Sequence, residues 1–87
     1  MKRLHIFISG DVLGVGFRFF IEKYANLLNL KGWVRNTNNE VEAVFEGEEE
    51  NIKKMLEICK EGPSLSYVKD IKIQKEPLEN LEKFEIK

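Results

Sequence analysis

Hydrophobic and polar positions change their period several times along the chain, and each change marks an element. Leu4-His5-Ile6-Phe7-Ile8 is rich in strand-favouring residues and stops at Ser9-Gly10, which predicts a first strand. From Phe17 the spacing becomes helical. Phe17, Ile21, Tyr24, Ala25 and Leu28 share one face, and Phe20, Leu27 and Leu30 widen the apolar stripe. Asn29 to Gly32 supplies the stop, with Gly32 the expected left-handed cap. Trp33-Val34-Arg35 opens a second extended segment and Val41 to Glu46 a third. Between them stand Asn38 and Asn39, which tolerate positive φ and predict a tight hairpin.

Gly47 ends the third strand, and Glu48, Glu49 and Glu50 load negative charge where a helix dipole favours it. Ile52, Met55, Leu56 and Cys59 form the buried stripe of this second helix, which Gly62-Pro63 closes. Tyr67 to Ile73 alternates, with Tyr67, Lys69, Ile71 and Ile73 on one side, and predicts a fourth strand. Phe84-Glu85-Ile86 follows a polar loop around Pro77 and reads as a short extra C-terminal edge strand. The order βαββαβ is the split βαβ arrangement of ferredoxin-like α+β folds, an antiparallel sheet with both helices on one face. Residues 1–87 form one domain, with no repeat and no linker.

Charged residues at 33% against 43% hydrophobic ones suit a globular chain rather than a disordered one. A net charge of −1 argues against broad nucleic-acid binding, which needs a basic face. No apolar run approaches the ~20 residues that span a bilayer, and Leu4 to Ile8 is too short for a secretory core. Cys59 is the only cysteine and His5 the only histidine, so the expectation is a reducing, cytoplasmic setting and no metal site.

The chemistry concentrates in Gly10-Asp11-Val12-Leu13-Gly14-Val15-Gly16-Phe17-Arg18, between the first strand and the first helix. A glycine-rich turn entering a helix presents unpaired N–H groups beside the positive end of the helix dipole, which together make an anion site. Arg18 adds a forked, permanently charged donor for the same anion. The residues by themselves therefore suggest a phosphate or carboxylate binder.

Two separated motifs resemble the acylphosphatase family. Gly10 to Arg18 is similar to its G-x-V-Q-G-V-x-F-R turn, and Gly32-Trp33-Val34-Arg35-Asn36 is similar to its G-W-V-x-N segment. Val41, Gly47, Gly62-Pro63 and Val68 also fall near family positions, so the likeness runs along nearly the whole chain. Two places depart from the pattern. Leu13 stands where the family usually has glutamine, and the turn after Asn36 is one residue shorter and lacks glycine.

The resemblance implies hydrolysis of acyl phosphates to a carboxylate and inorganic phosphate, without metal or cofactor. It implies that the N–H groups of Gly14, Val15, Gly16, Phe17 and Arg18 wrap the phosphoryl oxygens, with the Arg18 side chain on the same group. Asn36 then holds the attacking water. The implied partners are a small acyl phosphate and inorganic phosphate, as product and inhibitor, with neither nucleic acid nor membrane; the oligomeric state is open, a monomer favoured.

Plainer readings compete at several positions. Gly14 to Arg18 could be only a tight turn, and Asn36 only a turn residue. Trp33 reads as core or helix packing, Phe17, Phe19 and Phe20 as core with Phe19 able to edge a pocket, and His5 as structural. One rival function is a non-catalytic phosphate- or carboxylate-binding module that kept the cradle. Another is RNA binding on the open sheet face through His5, Phe7 and Phe45, against which stand Glu42 and Glu46. The acylphosphatase-like domain of larger carbamoyl-transfer maturation proteins is a further relative, and the chain's length favours the free-standing enzyme.

Overall fold

The computed structural model describes residues 1–87. Its elements are β1 (Lys2–Asp11), α1 (Phe17–Leu27), β2 (Lys31–Asn36), β3 (Val41–Gly47), α2 (Glu49–Glu61), β4 (Tyr67–Glu76) and β5 (Phe84–Ile86). The sheet order is β4-β1-β3-β2-β5. β4, β1, β3 and β2 each pair antiparallel with their neighbours, as the element order predicts, and β5 joins the edge parallel to β2.

Alternation along the strands places Ile6, Ile8, Val34, Val41, Ala43 and Phe45 in the core. From the helices Phe17, Ile21, Ala25, Ile52, Met55 and Cys59 join them there. α1 lies mainly on β2 and β5, and α2 on β3 and β4. Leu27 departs from the predicted stripe and stands 70% exposed, because the face of Phe17, Ile21 and Ala25 turns it outward.

Three local expectations are corrected. α1 is stopped by Asn29, whose φ of 57° is left-handed, while Gly32 lies inside β2. Gly32 is required there for space: a Cβ would collide with the Val44 carbonyl. The β2–β3 hairpin forms, but without positive φ at Asn38 or Asn39. Thr37 closes it instead, its N–H donating to the Glu40 carbonyl at 2.8 Å and its Oγ1 accepting from the Glu40 N–H at 3.1 Å.

The alternation of β4 also breaks. The β1–β4 register shifts between Ser9 and Gly10, so Val68 rather than Lys69 packs toward the core. Gly10, at φ 126°, permits this bulge, since a Cβ there would meet the Tyr67 carbonyl.

No helix covers the second face of the sheet, yet Glu42, Val44 and Glu46 are buried there. A ladder of alternating acidic and basic side chains does the covering. Arg35 Nε donates to Glu42 Oε1 at 2.7 Å, and Glu42 Oε2 meets His5 Nε2 at 2.6 Å. His5 Nδ1 meets Glu76 Oε2 at 2.7 Å, and Arg3 bridges Glu76 and Glu46 at 3.0 Å each. Glu46 then accepts the N–H groups of Glu79 and Leu81 at 2.7 and 2.9 Å, which ties down the segment leading to β5. Burial by itself would raise Glu42 and Glu46. Hydrogen bonds from Arg35 and His5 hold Glu42 below the usual carboxylate range, and those from Glu79, Leu81 and Arg3 do the same for Glu46. Trp33 belongs to this face, edge-on to His5 at 5.7 Å, and not to the helix layer.

Candidate functional site

β1 and β2 both pair antiparallel to β3, so they run in the same direction and end at the same side of the sheet. The loop from Val12 to Gly16 leaves the end of β1, and Asn36 is the last residue of β2. α1 begins where that loop finishes and returns across β2. The topology therefore brings Gly14 to Arg18 and Asn36 to one end of the molecule.

The facing direction of Asn36 follows from register. Ile8 pairs with Val41 and Val41 with Asn36, and directly opposed residues share a face. Ile8 and Val41 point into the core beneath the helices, so Asn36 projects on the side that carries α1. Its residue is exposed, and its position is lateral to the end of β1 by two inter-strand spacings, about 10 Å.

The loop itself is built on two left-handed glycines, Gly14 at φ 75° and Gly16 at φ 78°. A Cβ at either would meet nothing within 4 Å, so conformation rather than crowding demands glycine. Gly16 is the N-cap of α1, with no side-chain cap and no acidic residue in the first turn. The first helical bond runs from Phe20 N–H to the Gly16 carbonyl at 3.1 Å. No acceptor of the chain engages the six consecutive N–H groups from Gly14 to Phe19. α2 differs: Glu49 and Glu50 fill its first turn with negative charge.

Arg18 is half-buried and belongs to none of the chain's ion pairs. Its guanidinium thus remains free for an external anion. Val12 anchors the loop in the core and Phe17 anchors the helix start, both nearly fully buried. Phe20 is half-buried at the core's margin, whereas Phe19 stands 65% exposed, outside the expected core. Leu13, the departure from the family glutamine, sits at the surface of the loop. The shortened hairpin leaves Asn36 in the sheet, still paired with Val41.

No group of three or more His, Cys, Asp or Glu side chains is arranged to hold a metal ion. The widest surface groove, between α2, β4 and the N-terminus, lies at the opposite end and includes no residue of the loop. The sheet face proposed for RNA lacks its third aromatic, because Phe45 points into the helix-covered core. What remains on that face is His5, Phe7 and Trp33 beside the buried carboxylates Glu42 and Glu46. Thr37, which closes the hairpin beside Asn36, was not signalled by periodicity; a threonine flanking a turn of polar residues is its only trace in the sequence.

A family profile described as Acylphosphatase matches residues 4–86. An acylphosphatase of Moorella thermoacetica is 46% identical over 77 residues, covering 87% of this chain and 83% of the relative. The crystal structure of acylphosphatase from Bacillus subtilis has a TM-score of 0.96 at 36% identity, over 99% of this chain and 98% of that one. Full-length HypF in its phosphate- and nucleotide-bound form reaches a TM-score of 0.93 at 36% identity, over 98% of this chain and 11% of HypF. Such a match passes through both helices and all five strands, and the chain accordingly belongs to the acylphosphatase family.

Proposed function

We propose that the chain hydrolyses acyl phosphates to a carboxylate and inorganic phosphate at the Gly14–Arg18 loop, with Asn36 holding the attacking water. The observation that carries this reading is the row of unengaged N–H groups from Gly14 to Phe19, at a helix start where Arg18 has no internal anion. Five of these amides, Gly14 to Arg18, and the guanidinium together suit a tetrahedral dianion better than any group of the chain itself.

The water oxygen attacks phosphorus as the P–O bond to the acyl group breaks, and the carboxylate departs with that bonding pair. The water's proton passes to a phosphoryl oxygen, so no carboxylate or histidine of the chain is needed as base. Because the leaving group is good, the remaining barrier is met by positioning and by charge stabilisation in a loose transition state. A neutral carboxamide suits the water, since it donates and accepts without repelling the phosphoryl group. Inorganic phosphate, the product, fits the same cradle and inhibits. The lone buried thiol fits a reducing, cytoplasmic setting, and we take the working unit as a monomer that uses neither nucleic acid nor membrane.

Benzoyl phosphate hydrolysis in the presence of a chelator tests the reading, with Arg18 and Asn36 variants beside the parent protein. Turnover in chelator that both variants lose supports it. Phosphate binding without turnover in the parent protein would make the chain a binding module instead.

A further inference from the structure

The end of β2 that carries Asn36 is held less firmly than the rest of the strand. β5 pairs with β2 only from Gly32 to Val34, so Arg35 and Asn36 have a strand neighbour on one side alone, β3. Backbone pairing on a single side leaves these last rungs less restrained than the doubly paired middle of the strand, with only the Thr37–Glu40 bonds closing the turn beyond them. Positioning a water in line for attack tolerates little such freedom, and a displacement near 1 Å costs on the order of 10²-fold in rate.

The rung before Asn36–Val41 is Arg35–Glu42, and its side chains are joined on the helix-free face. Arg35 Nε donates to Glu42 Oε1 at 2.7 Å, and the guanidinium also lies over the Trp33 ring at 5.3 Å. Glu42 is nearly fully buried, with its second oxygen 2.6 Å from His5 Nε2. His5 is fixed in turn by stacking on Phe7 at 4.7 Å and by Glu76 at Nδ1. His5 and Phe7 belong to β1, the strand that feeds the glycine loop. The chain Arg35–Glu42–His5 thus crosses from the strand of Asn36 to the strand of the cradle, on the side of the sheet away from both.

We propose that Glu42, pinned to β1 by His5, is a positioning residue that holds Arg35 and thereby fixes Asn36 against the Gly14–Arg18 loop. The proposal rests on the water-holding assignment of Asn36 made above. Arg35 touches neither substrate nor water in this scheme; it acts only through the backbone of the last rung.

Steady-state kinetics with benzoyl phosphate, together with phosphate inhibition and thermal unfolding, provide the test. Arg35→Ala and Glu42→Gln each lower kcat about tenfold, with KM and phosphate inhibition held within about twofold. Arg35→Lys, which keeps a donor for Glu42, recovers most of the loss. Glu46→Gln is the control: it removes an equally buried carboxylate of the same ladder, far from Asn36, and lowers Tm without lowering kcat. The half-exposed Arg35 carries the test if Glu42→Gln does not fold. Unchanged kcat in Arg35→Ala, while Asn36→Ala loses turnover, overturns the proposal and leaves the mechanism standing. A KM rise at constant kcat overturns it too, since that marks mere attraction of the anionic substrate. If Asn36→Ala itself keeps full kcat, the water-holding assignment fails and this proposal fails with it.

Discussion

Ile8 and Asn36 occupy one row of the sheet, each paired with Val41 between them, and both face the helices. Ile8 is buried beneath those helices, whereas Asn36, at the end of its strand, is exposed. A carboxamide placed there serves solvent or substrate, not the core. Asn36→Ala is therefore expected to fold with unchanged Tm and to lose on the order of 10²-fold in kcat. Inorganic phosphate is expected to inhibit this variant and the parent protein alike. Loss of phosphate affinity at constant kcat would assign Asn36 to binding instead.

Arg18 is the only side chain of the glycine loop and first helical turn able to bring full positive charge to a phosphoryl group. An arginine at a transferring phosphoryl group is worth on the order of 10³–10⁵ in rate. Arg18→Gln should lose turnover by that amount, and Arg18→Lys should recover little, since an ammonium cannot reproduce the planar fork. Burst-free assays with benzoyl phosphate at saturating concentration measure both.

Most of the fold was legible because the chain signals its elements locally. The helical recurrence from Phe17 and the acidic start before Ile52 both appear as helices in the expected places. The errors fall where a neighbour in space decides. Gly32 looked like a helix cap, and only the approach of the Val44 carbonyl explains it. Lys69 looked like a position on the same side as Ile71, until the bulge at Gly10 put Val68 there. The site motifs were legible as a resemblance, and the row of unengaged N–H groups agrees with the glycine spacing. The charge ladder was not, because Arg3, His5, Glu42, Glu46 and Glu76 come together only through sheet register.

Gly16 combines a left-handed φ of 78° with open space where a Cβ would stand. Gly16→Ala therefore strains the backbone without a clash, at a cost of about 1–2 kcal/mol. Relief of that strain rotates the peptide planes on either side of the cap, including the Phe17 N–H. The expected outcome is a Tm lower by roughly 5–10 °C and weaker inhibition by phosphate. Gly14→Ala, at φ 75°, should behave in the same way.

Cys59 is buried in the core among Ile52, Met55 and Phe17, and burial pushes its thiol up to about 12. The thiolate, the reactive form, is nearly absent near pH 8, and the surrounding side chains block access. The native protein should leave a disulfide thiol reagent unreacted over the period in which a denatured sample reacts fully. Rapid native labelling would mean that α2 opens locally far below the global unfolding energy.

Arg3 and Glu46 join at 3.0 Å with side chains only 6% and 5% exposed. For Arg3, desolvation alone would lower the pKa, and the hydrogen bonds it donates to Glu46 and Glu76 outweigh it, so the guanidinium stays charged throughout. Glu76 is depressed mainly by His5 and then by Arg3. Carboxylates held below their unfolded value of about 4.3 add stability above that pH and lose it as pH falls toward their native values. Denaturant midpoints should therefore drop steeply below about pH 4.3, and the drop should be shallower in Glu46→Gln. Removing the cation instead leaves Glu46 buried without its partner. Arg3→Ala should cost about 3 kcal/mol at neutral pH, a fall of roughly 12 °C or more in Tm. A loss below about 1 kcal/mol would place the ladder among surface ion pairs, with the helix-covered core carrying the stability unaided.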